Sequence, residues 1–189
     1  YDVILHAGTL LASLVFFWGD ICALFKGLWD SARARRLDAQ GRLALLIVAG
    51  LIPAALVGYL FEDAMTAAFG IPVVVAVLLL VTGGLLVLGE RLGRRERGLE
   101  ALTLRDALLI GLGQCVALLP GISRSGATIS SGLLCGLKRE AAARFSFLMV
   151  LPLTLGATGY ELLKLPGEGG QVAFVPLIVG FVAAAATGY

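Results

Sequence analysis

The chain has 189 residues, of which 59% are hydrophobic and 15% are charged, and its mean hydropathy is +0.94. Soluble domains carry charge on about 25% of their residues, so the composition excludes an ordinary soluble protein and predicts an all-α, polytopic membrane protein. The net charge of +2 does not indicate nucleic-acid binding, and we expect membrane lipid to surround the chain.

Apolar runs alternate with short polar loops along the sequence and predict membrane-spanning helices. The predicted spans are Val3 to Phe25, Leu43 to Phe61, Val73 to Gly89, Phe145 to Leu163, and the run from Val172 onward. Pro53 predicts a kink in the second span. We expect residues 1–189 to form a single integral membrane domain. The chain opens at Tyr1 without Met and stops at Tyr189 within an apolar run, so we expect a piece of a longer protein.

The distribution of basic residues predicts how the chain is oriented in the membrane. Residues 26–42, 91–105 and 138–144 are rich in Lys and Arg, so we expect them on the cytoplasmic side. The acidic turn at 62–72 and the turn at 164–171 are then outside. The segment between the second and third basic loops must therefore leave and return on the same side.

A polar centre interrupts the apolar pattern in residues 111–131, GLGQCVALLPGISRSGATISS. Of the 15 Lys and Arg residues, Arg124 alone lies inside an otherwise hydrophobic run, and an arginine at membrane depth indicates function. The apolar stretch before Pro120 is about 13 residues, roughly 20 Å of helix. The stretch after the polar centre is shorter, and neither spans a core of about 30 Å. We therefore predict a re-entrant helix–loop–helix hairpin over about 106–137.

The start of the second half-helix is a predicted anion site, because free N–H groups and the positive dipole end meet there. Hydroxyl groups add donors, the arginine adds a planar fork that matches phosphate oxygens, and glycines let the backbone approach a ligand. The candidate residues are Gly121, Ser123, Arg124, Ser125, Gly126 and Thr128. An alternative stays open: a Pro-kinked membrane helix whose serines bond to their own helix and whose arginine meets an acidic partner.

Other polar residues in the spans have less specific interpretations. Gln114, in the first half-helix, either bonds the loop backbone or touches substrate. His6 is interpreted as a buried, hydrogen-bonded structural histidine, and a supporting role beside the site is the less favoured alternative. We expect Ser130 and Ser131 to bond their own helix carbonyls. The three cysteines are far apart in the sequence and are interpreted as small apolar residues, without a metal or disulfide site.

The stretch PGISRSGATIS (120–130) resembles the second signature of the bacterial undecaprenyl-diphosphate phosphatases, the bacitracin-resistance proteins of the BacA/UppP type. The positions that match this signature are Gln114, Ala117, Pro120, Gly121, Ser123, Arg124, Ser125, Gly126 and Thr128. Residues 1–18 and 139–157 also look like family segments, so the resemblance covers essentially the whole chain.

The resemblance implies an integral membrane phosphatase of the bacterial plasma (inner) membrane that hydrolyses undecaprenyl diphosphate to undecaprenyl phosphate and inorganic phosphate. This reaction recycles the lipid carrier for cell-wall synthesis and gives bacitracin resistance. The family is built as two inverted halves, each with a re-entrant hairpin, and its active site faces outward. A homodimer is an open alternative for the oligomeric state.

The resemblance also implies roles and a cofactor. Arg124 would bind the diphosphate and stabilise transition-state charge, Ser123 and Ser125 would donate hydrogen bonds, and Thr128 would cap the helix and contact phosphate. The family depends on a divalent cation, Mg²⁺ or Ca²⁺. Its ligands are expected upstream of Tyr1, in a first signature with two glutamates and a Ser-Ser-Thr-Gly-His run. We therefore expect no metal site in this chain and little hydrolysis by the chain alone.

Two other functions remain open from the sequence. A transporter or flippase for an anion or a lipid phosphate uses the same device of re-entrant half-helices with their N-termini at the anion. A non-catalytic subunit, whose partner supplies the acidic residues, is the weaker alternative.

Overall fold

The computed structural model describes residues 2–60, 72–164 and 174–189. Within these ranges the chain forms eight α-helices and one 3₁₀ turn, and no strand, which confirms the all-α prediction. The helices are α1 (Asp2–Phe16), α2 (Trp18–Ala34), α3 (Ala39–Leu60), α4 (Pro72–Leu92), α5 (Leu104–Val116), α6 (Arg124–Leu134), α7 (Arg139–Lys164) and α8 (Phe174–Gly188), with the 3₁₀ turn at Leu99–Ala101.

Two of the described helices, α3 and α4, are long and apolar enough to cross a bilayer, and α1 with α2 adds a third if this bent pair counts as one span. The chain is a multi-pass membrane protein, and the spans predicted near 43–61 and 73–89 are confirmed. The predicted span at 145–163 lies inside α7, and the last apolar run contains α8. The predicted outer turns at 62–72 and 164–171 lie almost wholly outside the described residues.

The prediction of one unbroken span from Val3 to Phe25 is wrong, because the helical run breaks at Phe17 and the chain bends there. The predicted loop at 26–42 is also wrong over most of its length, since α2 continues to Ala34 and α3 begins at Ala39. Charged residues on a helix face solvent as readily as those in a loop, so the polar composition did not mark the helix end. After α2, the Asp38 carboxylate accepts from the Ser31 hydroxyl at 3.1 Å and from the N–H of Gly41 at 2.6 Å, so it caps the start of α3.

Residues 1–23 and 150–189 form one compact unit of the chain. In this unit α1 packs against α8 through small residues. A Cβ at Gly8 would lie 2.6 Å from the Phe181 carbonyl oxygen, and one at Gly188 would lie 3.2 Å from Ala12 Cβ. Close backbone approach of this kind is the usual way helices associate in lipid. His6, in α1, is exposed, so the prediction that it is buried is wrong.

Residues 24–149 form the second compact unit, which contains the predicted hairpin. Here α3 packs against α5, α4 packs against α6, and α5 and α6 pack against each other. Gly50 and Gly111 bring the first pair close, since a Cβ at Gly111 would overlap the Gly50 carbonyl oxygen. The polar stretch that carries Arg124 is thus held between α4 and the other helices of this unit.

The hairpin consists of α5, with 13 residues, and α6, with 11 residues. At 1.5 Å per residue these are roughly 20 Å and 16 Å long, well short of a hydrocarbon core of about 30 Å. The helix ends at Val116 and a new one begins at Arg124, so the alternative of one kinked helix through Pro120 is wrong. The two short helices that the sequence predicts are confirmed.

Candidate active site

The base of the hairpin is closed by Arg97, which lies in the loop before α5. Its guanidinium donates to the Asp106 carboxylate at 2.7 and 3.2 Å and to the Cys135 carbonyl at 2.9 Å. The Asp106 carboxylate raises the pKa of this guanidinium through the same hydrogen bonds. The backbone of Arg97 also pairs with Gly136 at 3.0 Å and Lys138 at 2.8 Å. The start of α5 and the end of α6 therefore meet, and the hairpin leaves and returns at one place, as predicted.

The tip of the hairpin rests on α4. Gly121 has a φ of +95°, and a Cβ there would overlap the carbonyl oxygen of Val75. Next to it Ile122 is buried with Ala117, and Leu78 packs on this cluster. Only glycine accommodates both the left-handed backbone and the close approach.

Gly126 lies against the same helix, because a Cβ at this position would be 2.7 Å from Thr82 Cγ2. The sequence predicts that Gly121 and Gly126 let the backbone approach a ligand. In the structure, both glycines lie against another helix, α4. Their role in binding substrate stays a prediction.

Ser123 is the N-cap of α6. It has the extended backbone typical of this position, with φ −70° and ψ 121°, and its Oγ accepts from the N–H of Gly126 at 3.1 Å. The hydroxyl of Ser125 lies 3.3 Å from that of Ser123. The prediction that Thr128 caps the helix is wrong, because Ser123 does so.

Arg124 is the first residue of α6, and its side chain is exposed. Within the described ranges no hydrogen bond or ion pair engages its guanidinium. The open alternative, in which an acidic residue neutralises this arginine, finds no support there. One helix end therefore carries two serine hydroxyls, the first N–H groups of α6 and a guanidinium that has no partner within the described ranges. This arrangement suits a multiply charged anion.

Thr128 lies deeper than the other predicted site residues. Its side chain is fully buried, and its hydroxyl is 2.5 Å from that of Ser146 on α7 and 2.9 Å from the Arg124 carbonyl. The residue ties α6 to α7, and its contact with phosphate stays a prediction. Ser130 and Ser131 donate to carbonyls of their own helix at 2.6 and 2.9 Å, as predicted.

Gln114 is fully buried on α5, yet neither atom of its amide has a hydrogen-bond partner in the described part of the chain. The prediction that this side chain bonds the loop backbone is therefore wrong. A buried amide without partners is costly, and ordered water or a bound group normally satisfies such a group. Contact of Gln114 with substrate stays a prediction.

The described ranges contain no group of three or more His, Cys, Asp or Glu side chains that fits a metal ion. Glu90 is bound by Arg95 and Arg139, and Asp106 is bound by Arg97. The residues around Arg124 therefore do not fit a divalent cation by themselves.

A family profile described as "Bacitracin resistance protein BacA" matches residues 1–189. The chain belongs to the BacA family. It is 43% identical to an "Undecaprenyl-diphosphatase" of Pelobacter propionicus over all of this chain and 70% of the relative. Proteins with the same description from Rubrobacter xylanophilus and Anaeromyxobacter sp. are 45% and 46% identical over the whole chain, which spans 71% and 63% of their lengths.

Sequence reasoning missed the residues that hold this BacA-family hairpin in place: Thr82, Arg97, Asp106 and Ser146. A weak signal marks Thr82, which is the one hydroxyl residue in an otherwise apolar run from Pro72 to Leu88. Arg97 lay among other loop arginines and had no distinguishing feature in the sequence. Its role depends on contacts with residues 9 and 38 positions away.

Proposed function

We propose that the protein is an integral membrane acid anhydride hydrolase that converts undecaprenyl diphosphate to undecaprenyl phosphate and inorganic phosphate. Such a reaction recycles the lipid carrier for cell-wall synthesis and gives bacitracin resistance. The proposal rests on Arg124, which makes no hydrogen bond or ion pair within the described ranges. This residue lies at the start of a helix too short to cross a bilayer. The description shared by the relatives supports the same reaction.

The chain's own residues account for binding of the headgroup. The planar guanidinium of Arg124 matches two phosphate oxygens, and the hydroxyls of Ser123 and Ser125 supply donors beside it. Donors held in place before the reaction stabilise charge as it develops on the phosphoryl oxygens. Since the hairpin helices are short, the headgroup reaches this site while the prenyl tail stays in lipid.

The proposal adds several features that come from the family resemblance alone. These are a bacterial inner-membrane location, an active site that faces outward, and dependence on Mg²⁺ or Ca²⁺. The cation's ligands belong to residues other than those around Arg124, which do not fit a metal. The bilayer lipid and a second copy of the chain, as a homodimer, are the further partners that we propose.

The test uses the intact protein, purified and reconstituted in liposomes that contain undecaprenyl diphosphate. We expect release of inorganic phosphate in the presence of Mg²⁺ or Ca²⁺ and loss of that release in Arg124→Ala. Movement of labelled lipid phosphate or anion across the bilayer without phosphate release would instead identify a carrier and contradict the proposal.

A further inference from the structure

Thr82 makes a polar contact from α4 to the hairpin. It is 5% exposed, its hydroxyl donates to the Leu78 carbonyl at 3.1 Å, and the same oxygen accepts from the N–H of Ser123 at 3.1 Å. By contrast, within the described ranges Thr154 bonds the carbonyls of Val150 and Leu151 in its own helix. Thr82 therefore also accepts a hydrogen bond from another element, in addition to the one that it donates within its own helix.

The N–H of Ser123 needs this contact. Ser123 precedes the first helical residue, so its N–H has no partner within α6. In lipid every backbone donor must find a partner in the protein, and an unpaired one is costly. The Thr82 hydroxyl is the partner in this structure, which restrains the backbone immediately before Arg124.

The methyl group of Thr82 packs against the same turn. It faces Gly126, two residues after Arg124, where a Cβ would be 2.7 Å from Thr82 Cγ2. Val75, Leu78, Thr82 and Gly89 are spaced three, four and seven residues apart, so they form one stripe along α4. The contacts of this stripe run from Gly121 at the hairpin tip to Ser130 in α6.

We propose that Thr82 is a positioning residue of the anion site: its hydroxyl group fixes the Ser123 turn and thereby aims Arg124. The residue lies outside the signature stretch, on another helix, 41 positions before Ser123. The kinetic part of this proposal rests on the proposed hydrolase function, whereas the structural part does not.

The kinetic experiment compares variants of the intact protein in phosphate release from undecaprenyl diphosphate. For Thr82→Val, which keeps the shape but removes the acceptor, we expect kcat/KM to fall about ten- to a hundredfold. Thr82→Ser keeps the hydroxyl and should stay within about threefold of the parent protein. Thr154→Val is the matched control, and its kcat/KM should equal that of the parent protein.

The second readout is hydrogen exchange of the segment 121–128, measured by mass spectrometry in detergent. We expect the protection of the Ser123 amide to be lost in Thr82→Val and retained in Thr82→Ser and Thr154→Val. If Thr82→Val does not fold, Thr82→Ala removes the hydroxyl without added volume and takes its place. If the parent protein releases no phosphate, the hydrolase proposal fails while the exchange data still test Thr82.

Unchanged protection of Ser123 in the hydroxyl-free variants would overturn the positioning role. The role would also be overturned if Thr82→Ser lost as much kcat/KM as Thr82→Val, because the serine variant retains the hydrogen bond. An equal loss in Thr154→Val would reduce the effect to general destabilisation of the membrane helices.

Discussion

Three polar side chains of the signature stretch occupy different environments, and each environment predicts a different response to mutation. Arg124 is exposed and makes no hydrogen bond or ion pair within the described ranges, whereas Thr128 is buried and hydrogen-bonded to Ser146. Gln114 is buried, and its amide has no partner in the same part of the chain. A residue that costs stability where it stands and yet has no structural partner is a candidate for function.

Arg124→Lys tests the need for a planar fork at the start of α6. We expect kcat/KM for phosphate release to fall about a hundredfold with normal expression, because a lysine ammonium cannot hold two phosphate oxygens in one plane. Arg105→Lys, at another exposed arginine of the hairpin, is the matched control and should leave the activity unchanged. Near-parental turnover in Arg124→Lys would exclude the proposed site.

Gln114→Leu tests whether the buried amide is kept for function. Removing a buried polar group that has no partner should raise the free energy of unfolding by about 1–3 kcal/mol. If the amide contacts substrate, as we predict, the same variant loses phosphate release. The measurements are thermal unfolding in detergent and steady-state kinetics. A variant that is less stable and fully active would show that the amide is a satisfied structural group.

At the scale of elements, the hairpin depends on contacts at both of its ends. Arg97 joins the start of α5 to the end of α6, and Thr82 holds the tip on α4. Neither short helix is stable alone in water, so these tertiary contacts supply what helix propensity does not. The geometry of the anion site is therefore a property of the hairpin together with α4.

Arg97→Ala tests the closure at the hairpin base against a matched arginine, Arg95. Both side chains are 34% exposed, but Asp106 beside Arg97 is 9% exposed, whereas Glu90 beside Arg95 is 38% exposed. Loss of Arg97 leaves a largely buried carboxylate unpaired, and we expect a cost of about 2–4 kcal/mol in the free energy of unfolding. Arg95→Ala removes a surface pair and should cost less than about 1 kcal/mol.

Unfolding in detergent measures the stability of both variants. A double mutant, Arg97→Ala with Asp106→Asn, completes the comparison. The double mutant should be more stable than Arg97→Ala, because it no longer buries an unpaired charge. Equal costs for the two arginines would mean that the hairpin ends are held by the backbone contacts alone.

At the scale of the whole molecule, the hairpin base determines which loops share a side of the membrane. The N–H of Glu96 donates to the Gly136 carbonyl at 3.0 Å, so the loop before α5 and the loop after α6 lie together. From the positive-inside rule we predict that this common side is the cytoplasm. The acidic turn near Asp63, outside the described residues, is predicted on the other side.

Cysteine labelling tests this topology. In a protein with its three cysteines replaced by alanine, Glu96→Cys and Glu140→Cys should react with an impermeant maleimide only from the cytoplasmic side. Asp63→Cys should react only from outside. Labelling of Glu96→Cys and Glu140→Cys from opposite sides would contradict the hairpin. Labelling of both from outside would contradict the orientation, and labelling of all three from one side would contradict the placement of the acidic turn.

Much of the fold follows from local sequence because the membrane restricts the backbone so strongly. A run of apolar residues must form a helix in lipid, and its length states whether it spans the bilayer. These rules predicted α3, α4 and the two short helices around Pro120. They failed at Phe17 and at residues 26–34, because neither a break inside an apolar run nor the continuation of a helix through a polar stretch changes the local composition.

The sequence by itself determined the helical membrane class, the interrupted hairpin and the residues that suit an anion, since each depends on neighbours within a few turns of helix. Only the tertiary structure decided which partner each polar group and glycine has: Thr82 for the Ser123 N–H, Ser146 for Thr128, α4 for Gly121, and none within the described ranges for Gln114. These partners come from other helices, and no local pattern records which distant helix will pack beside a given residue.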